Sequence, residues 1–127
     1  MEVKDLKETV KNFIDKREWR QFQTSKDLAE DISIEANELL ELFLWKDGKQ
    51  MDSNLKNDSE LLKKVKNETA DVLFGCLAMA DHLDFDLEEA FLSKIDQLNK
   101  RYSVEDVKGK SVKINEEEWL KEHREEL

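Results

Sequence analysis

Proline is absent from this 127-residue chain, glycine occurs three times, and cysteine and tyrosine occur once each. A β-sandwich or a doubly wound α/β fold draws on far more turn glycines and prolines, and collagen-like or Gly/Ser-linker composition is excluded as well. The single Cys76 cannot close an intramolecular disulfide, and no apolar stretch ending in a small-residue cleavage site opens the chain, so a reduced, cytoplasmic protein is expected. Long hydrophobic runs are also missing. The longest apolar-plus-glycine stretch, Val72 to Ala80, is about half of the roughly 20 residues that span a bilayer, so no membrane partner is expected. Positive charge is the scarcer sign: 21 basic against 31 acidic residues leave a net charge of −10. That balance repels a nucleic-acid duplex and suits a cation.

What is present is helical periodicity in a chain that is 39% apolar and 41% charged. A first helix is expected from Glu2 to Lys16, with Val3, Leu6, Val10, Phe13 and Ile14 on one face. Arg17 to Thr24 breaks the pattern, and Thr24 or Ser25 caps a second helix that carries Leu28, Ile32, Leu39, Leu42 and Phe43 to about Trp45 and stops at Asp47-Gly48. Lys46 to Asp58 shows no periodicity and reads as a mobile loop, after which Ser59 caps a third helix over Glu60 to Leu83. Asp84-Phe85 is a break. Asp86 and Glu89 form a capping-box pattern that opens a fourth helix ending near Tyr102. From Ser103 onward the chain is polar, an extended tail or a short helix around Glu116 to Glu126. The expectation is an all-α, four-helix-bundle-like domain over 1–111 with a polar segment over 112–127, its apolar stripes shared with further copies.

Two acidic pairs stand out, Glu35 with Glu38 and Glu68 with Asp71. Spacing alone is weak, since chance gives roughly 7 acid pairs at i, i+3 in this composition. Their place on the helix is more telling. At about 100° per residue, Glu35 falls about 20° from Leu28, inside the stripe of Ile32, Leu39 and Leu42, and Glu38 sits on its rim. On the third helix Glu68 falls equally close to Leu61, inside the stripe of Val65 and Val72, and Asp71 is again at the rim. Four carboxylates gathered at the edge of a core repel one another and must be neutralised. The two histidines, His82 and His123, form no Glu-x-x-His pair, so a di-iron bundle lacks its nitrogen ligands. An all-oxygen set points to Mg²⁺, with Mn²⁺ able to substitute, and an open carboxylate site of this kind points to a phosphate-bearing substrate. The alternative is that Glu35 and Glu68 pair with cationic side chains across the helix interface and set register, Lys94 being the one placed to reach in.

Trp19, Phe22 and Trp45 flank the second helix; they can stack on a base or simply complete a core. Lys94, Lys100, Arg101, Lys108 and Lys110, interleaved with Asn99 and Tyr102, can meet phosphates or serve as a solvated helix end.

Taken together, Arg17-Glu18-Trp19, Phe22-Gln23-Thr24, Glu35-x-x-Glu38-Leu39-x-Glu41-x-Phe43-x-Trp45, Glu68-x-x-Asp71-Val72 and Ser93-Lys94-Ile95-Asp96 resemble the MazG-like all-α nucleoside triphosphate pyrophosphohydrolases, within them the dCTP pyrophosphatase branch. The resemblance covers roughly residues 17–111. It implies hydrolysis of a small free nucleotide between its α and β phosphates, to monophosphate and pyrophosphate, with Mg²⁺ held by Glu35, Glu38, Glu68 and Asp71. Glu38 is assigned the catalytic role of positioning the attacking water, as a rim carboxylate can face both metal and solvent. The same resemblance implies nucleotide contacts from Trp19, Phe22, Gln23, Trp45, Lys94, Asn99, Arg101 and Tyr102, and a homo-oligomer, a tetramer built as a dimer of dimers in preference to a dimer. Gln23 stands where relatives carry His, Leu98 and Asn99 shift the usual Asn by one place, and Ser103 replaces a proline. These departures bear on which base is preferred rather than on the metal site.

Overall fold

The computed structural model describes residues 1–124. Among them the chain forms α1 (Val3–Lys16), a 3-10 turn (Arg20–Phe22), α2 (Ser25–Glu41), α3 (Gly48–Asn57), α4 (Ser59–His82), α5 (Leu87–Arg101), α6 (Val104–Val107) and α7 (Glu116–Glu122), with no strand. The all-α class expected from composition is therefore what is observed. Two compact units divide the chain, Met1–Phe85 and a second that begins at Asp86.

In the first unit α4 is the spine, packed against α1, α2 and α3. Gly75, Leu77, Ala78 and Ala80 are buried on it, and at about 100° per residue Gly75 and Ala78 fall on one side of the helix and Leu77 and Ala80 on the opposite one. Val10 and Ile14 of α1 and Leu28 of α2 are buried. A reciprocal capping box opens α2: the Asp27 amide donates to Thr24 Oγ1 at 3.2 Å, and the Thr24 amide donates to Asp27 Oδ2 at 2.9 Å.

Three expectations need correction. First, α2 ends at Glu41, not near Trp45; residues 42–45 form a turn in which Trp45 takes a left-handed φ of 63°, the conformation expected of Gly48. Second, Lys46–Asp58 is not a mobile loop. Asp47 accepts from the Gln50 amide at 2.9 Å and starts α3, whose Met51 is buried and whose Leu55, one turn on, is half-buried. Third, the cap of α4 is Asp58, which accepts from the Leu61 amide at 3.0 Å, and Ser59 is the first helical residue.

In the second unit the Asp86 carboxylate accepts from the Glu89 amide at 3.0 Å and opens α5 as expected. The Tyr102 hydroxyl accepts from the Ile114 amide at 2.9 Å and donates to the Ile114 carbonyl at 3.3 Å. Glu116 pairs with Lys94 of α5 and, at 3.6 Å, with Arg101. The short helix expected around Glu116 to Glu126 is α7 as far as Glu122, and its last expected residues, with Leu127, lie outside the described ones. The expected boundary at 111–112 falls inside this unit.

Candidate metal centre

Thr24 and Asp58, as caps, set where α2 and α4 begin, and the close packing of Ile32 against Gly75 sets their separation. With both helices so placed, Glu35, Glu68 and Asp71 each turn a carboxylate oxygen toward the others, all three within 4.8 Å of one another. Opposite ligands of an octahedral Mg²⁺ stand about 4.2 Å apart, so three oxygens at this spacing suit a hard divalent cation after small side-chain movements. Glu35 Oε2 and Glu68 Oε2 are buried and accept no hydrogen bond. No Lys or Arg among the described residues is paired with Glu35, Glu38, Glu68 or Asp71. Lys94, the cation considered for setting register, is paired with Glu116.

Electrostatics follow from this crowding. Burial is the main cause holding the Glu35 carboxyl above its ordinary value, followed by the neighbouring carboxyl of Glu38 and then the charges of Asp71 and Glu68. Glu68 is raised in the same direction, by burial first and then by Glu38 and Asp71. Glu38 itself is exposed and lies within reach of both. A buried acid that finds neither a proton donor nor a cationic partner is neutralised by a proton or by a metal ion. The donor set is all oxygen, which favours Mg²⁺, Mn²⁺ or Ca²⁺ over softer metals.

Beside this cluster lies a cleft of about 280 Å³. Gln23, Asp31, Glu35 and Asp71 give it polar walls, while Leu28 and Phe74 are apolar. Of the residues singled out for base contact, Gln23 lines this cleft. Trp19 is 46% exposed and meets Phe13 edge-on at 5.8 Å, Phe22 is 73% exposed, and Trp45 is fully exposed. Trp45 therefore does not complete a core, contrary to the plainer reading of helix-end aromatics. Lys94, Asn99, Arg101 and Tyr102 belong to α5 and its C-terminal cap in the second unit. There the Arg101 side chain is only 9% exposed, its guanidinium 5.1 Å from the Tyr102 ring centre, and Nε and Nη1 make no hydrogen bond.

Two acids were given no site role by sequence reasoning, although Glu41 stands in the Glu35-x-x-Glu38-Leu39-x-Glu41 motif. Asp31, one turn before Glu35, lines the cleft, and Glu41, one turn after Glu38, adds its charge to Glu68. The i−4 and i+3 spacings mark them on the same helix, but among 31 acids they carried no weight until the partner helix was in place.

Residues 31–121 match the MazG-like family, and the stretch includes the three acids of the cluster and Glu38. This chain belongs to that family. As a MazG-like protein it is similar to dCTP pyrophosphatase 1 of Rattus norvegicus, 29% identical over 114 residues that cover 90% of this chain and 66% of the relative. The Homo sapiens protein of the same name is 30% identical, with the same coverage. The chain thus spans just under two thirds of the length of these curated relatives. A crystal structure of a pyrophosphatase from Archaeoglobus fulgidus shares the fold with a TM-score of 0.70 and 32% identity, over 79% of this chain and 91% of that one. No helix among the described residues is long and apolar enough to cross a membrane.

Proposed function

We propose that this MazG-like chain is a Mg²⁺-dependent nucleoside triphosphate pyrophosphohydrolase. It cleaves the α–β phosphoanhydride of a pyrimidine deoxynucleotide such as dCTP, to monophosphate and pyrophosphate, and so keeps the nucleotide pool clean in the cytoplasm. The observation that carries this reading is the facing cluster of Glu35, Glu68 and Asp71, with two buried oxygens that no protein group satisfies. The names of the relatives, pyrophosphatases in both comparisons, support the reaction class.

Glu35, Glu68 and Asp71 would hold the cation, with Glu38 joining from the rim, and Mn²⁺ can replace Mg²⁺ in such a set. When bound, the cation neutralises phosphate charge and lowers the pKa of coordinated water. Glu38 holds the attacking water, as its exposed carboxylate lies next to the cluster and also faces solvent. The Gln23 amide offers both a donor and an acceptor to a base edge from the wall of the cleft. Trp19, Phe22 and Trp45 present exposed aromatic surface for stacking. By the resemblance, Lys94, Asn99, Arg101 and Tyr102 of α5 and its cap are further candidates for nucleotide contact, Lys94 and Arg101 by virtue of charge. A homo-oligomer, tetramer in preference to dimer, suits the exposed Leu40, Leu44, Leu62 and Leu73 of α2, its following turn and α4.

The test is pyrophosphate release from a panel of ribo- and deoxynucleoside triphosphates, with Mg²⁺ and with chelator. Release that needs the cation, strongest with one pyrimidine deoxynucleotide, is the expected result. No release from any nucleotide overturns the reading in favour of a scaffold whose acids set oligomer register.

A further inference from the structure

The turn that carries Trp19, Phe22 and Gln23 has little of its own to hold it. Its 3-10 segment is three residues long, and its backbone bonds reach only the end of α1 and the turn itself: Trp19 N–H to the Ile14 carbonyl at 3.2 Å, Phe22 to Trp19 at 2.9 Å and Gln23 to Arg20 at 3.2 Å. Arg20 ties it to the rest of the first unit. Its Nη2 donates to Asp81 Oδ2 of α4 at 2.7 Å, and its Nε donates to Asp15 Oδ1 of α1 at 2.8 Å. The Asp81 side chain is only 8% exposed, and Arg20 is its ion-pair partner.

This fork joins the turn to the helix that bears Glu68 and Asp71. Asp81 lies ten residues beyond Asp71, about 15 Å further along α4. Gln23, three residues beyond Arg20, lines the cleft together with Glu35 and Asp71. An aromatic chain runs in parallel: Phe13 meets Trp19 edge-on at 5.8 Å and meets Phe74, another cleft residue, at 5.6 Å. The rings fix spacing but leave the turn free to slide, whereas two directed charge-assisted bonds to two helices fix its register. Only a guanidinium presents two rigidly related donors to two different carboxylates; a lysine ammonium can hold one well.

We infer that Arg20, through Asp81 and Asp15, is a positioning residue that sets the wall of the substrate cleft formed by the Trp19–Gln23 turn relative to the acids of α4. The inference rests on the nucleotide reading above. Neither Arg20 nor Asp81 is placed against substrate or metal, so their loss changes how well substrate is seated rather than the chemical step.

The experiment is steady-state pyrophosphate release by Arg20→Gln, Arg20→Lys and Asp81→Asn beside wild type, with far-UV circular dichroism to establish folding. Expected is a rise in KM of about fivefold or more for Arg20→Gln and for Asp81→Asn, kcat within about twofold of wild type, and an intermediate KM for Arg20→Lys. Combining Arg20→Gln with Asp81→Asn adds little to Arg20→Gln alone, because that variant already breaks the bond to Asp81. If Arg20→Gln does not fold, Asp81→Asn decides, since it leaves the Asp15 bond in place. A folded variant with KM within about twofold of wild type, or with kcat reduced and KM unchanged, overturns the inference. A wild type inactive on every nucleotide defeats the functional reading itself, so the two failures are distinguishable.

Discussion

Gly75 of α4 lies so close to Ile32 of α2 that a β-carbon on the glycine would stand 2.7 Å from Ile32 Cγ1 and 3.7 Å from its Cα. The contact lies one turn from Glu35 on α2 and one turn from Asp71 on α4, so the separation of the two acids depends on it. Gly75→Ala gains helix propensity of about 1 kcal/mol but forces Ile32 aside, which typically costs about 1–3 kcal/mol. The expected net effect is a loss of stability of up to about 2 kcal/mol in urea denaturation, with weaker Mg²⁺ binding by calorimetry. Ile32→Ala on the same background makes room for the new methyl and recovers part of the Mg²⁺ affinity. A Gly75→Ala protein that binds Mg²⁺ as wild type does would show that Ile32 yields without moving the helices.

Replacing Glu38 by Gln removes a charge that acts on both Glu35 and Glu68. The side chain is exposed and caps no helix, so the fold is expected to survive with unchanged helicity. Turnover is expected to fall by about 10²-fold or more, as when a group that positions or activates water is lost. A drop confined to KM would move Glu38 from the chemistry to substrate binding.

The acid cluster was legible because both pairs occupy the same angular place on amphipathic helices, and two packed stripes can meet in few ways. Asp86 was legible as a cap, and Thr24 as one of two candidates beside Ser25, for a local reason, a side-chain acceptor three residues before a free amide. The end of α2 was misread because glycine is the usual left-handed residue, and here Trp45 takes that conformation instead. In α3 the single pair Met51 and Leu55 is too little for a period to show. Asp58 and Ser59 are adjacent residues of the capping class, and only backbone geometry distinguishes them. The Arg20–Asp81 bond spans 61 residues of sequence and could not be read from local pattern at all.

Stability without a cation should depend on pH through Glu35 and Glu68. Burial and the neighbouring Glu38 and Asp71 raise both above the ordinary glutamate value of 4.5, with Glu41 adding its charge at Glu68. Between that value and the raised ones the folded chain binds more protons than the unfolded chain, so stability from these groups is full at lower pH and is lost as pH rises through the window. Asp15, Asp27 and Glu116, all lowered by hydrogen-bonded partners, act oppositely and lose their contribution as pH falls. The measurement is therefore a difference: the melting temperature of chelated wild type minus that of Glu35→Gln/Glu68→Gln, expected to fall as pH rises above the ordinary glutamate value of 4.5. Mg²⁺ competes with those protons, so its stabilising effect on wild type grows over the same range. A difference that is flat with pH would mean that the two carboxyls are already ionised in the folded protein.

Trp45 separates a binding role from a structural one, because it is fully exposed and its φ of 63° is strained for any residue with a β-carbon. Trp45→Gly relieves that strain, worth roughly 1–2 kcal/mol, and removes no buried contact. The isolated fold is expected to become no less stable, and more so if glycine's greater freedom in the unfolded chain does not cancel the gain. Base stacking on an exposed indole contributes about 1–3 kcal/mol, so KM for the preferred nucleotide is expected to rise between about fivefold and a hundredfold. A melting temperature that holds or rises beside a raised KM, measured on the same preparation, is thus the mark of a Trp45 that stacks on the base. If stability falls and KM does not change, the indole is covered by another copy of the chain and its role is assembly, which sedimentation of the same variant would report as dissociation.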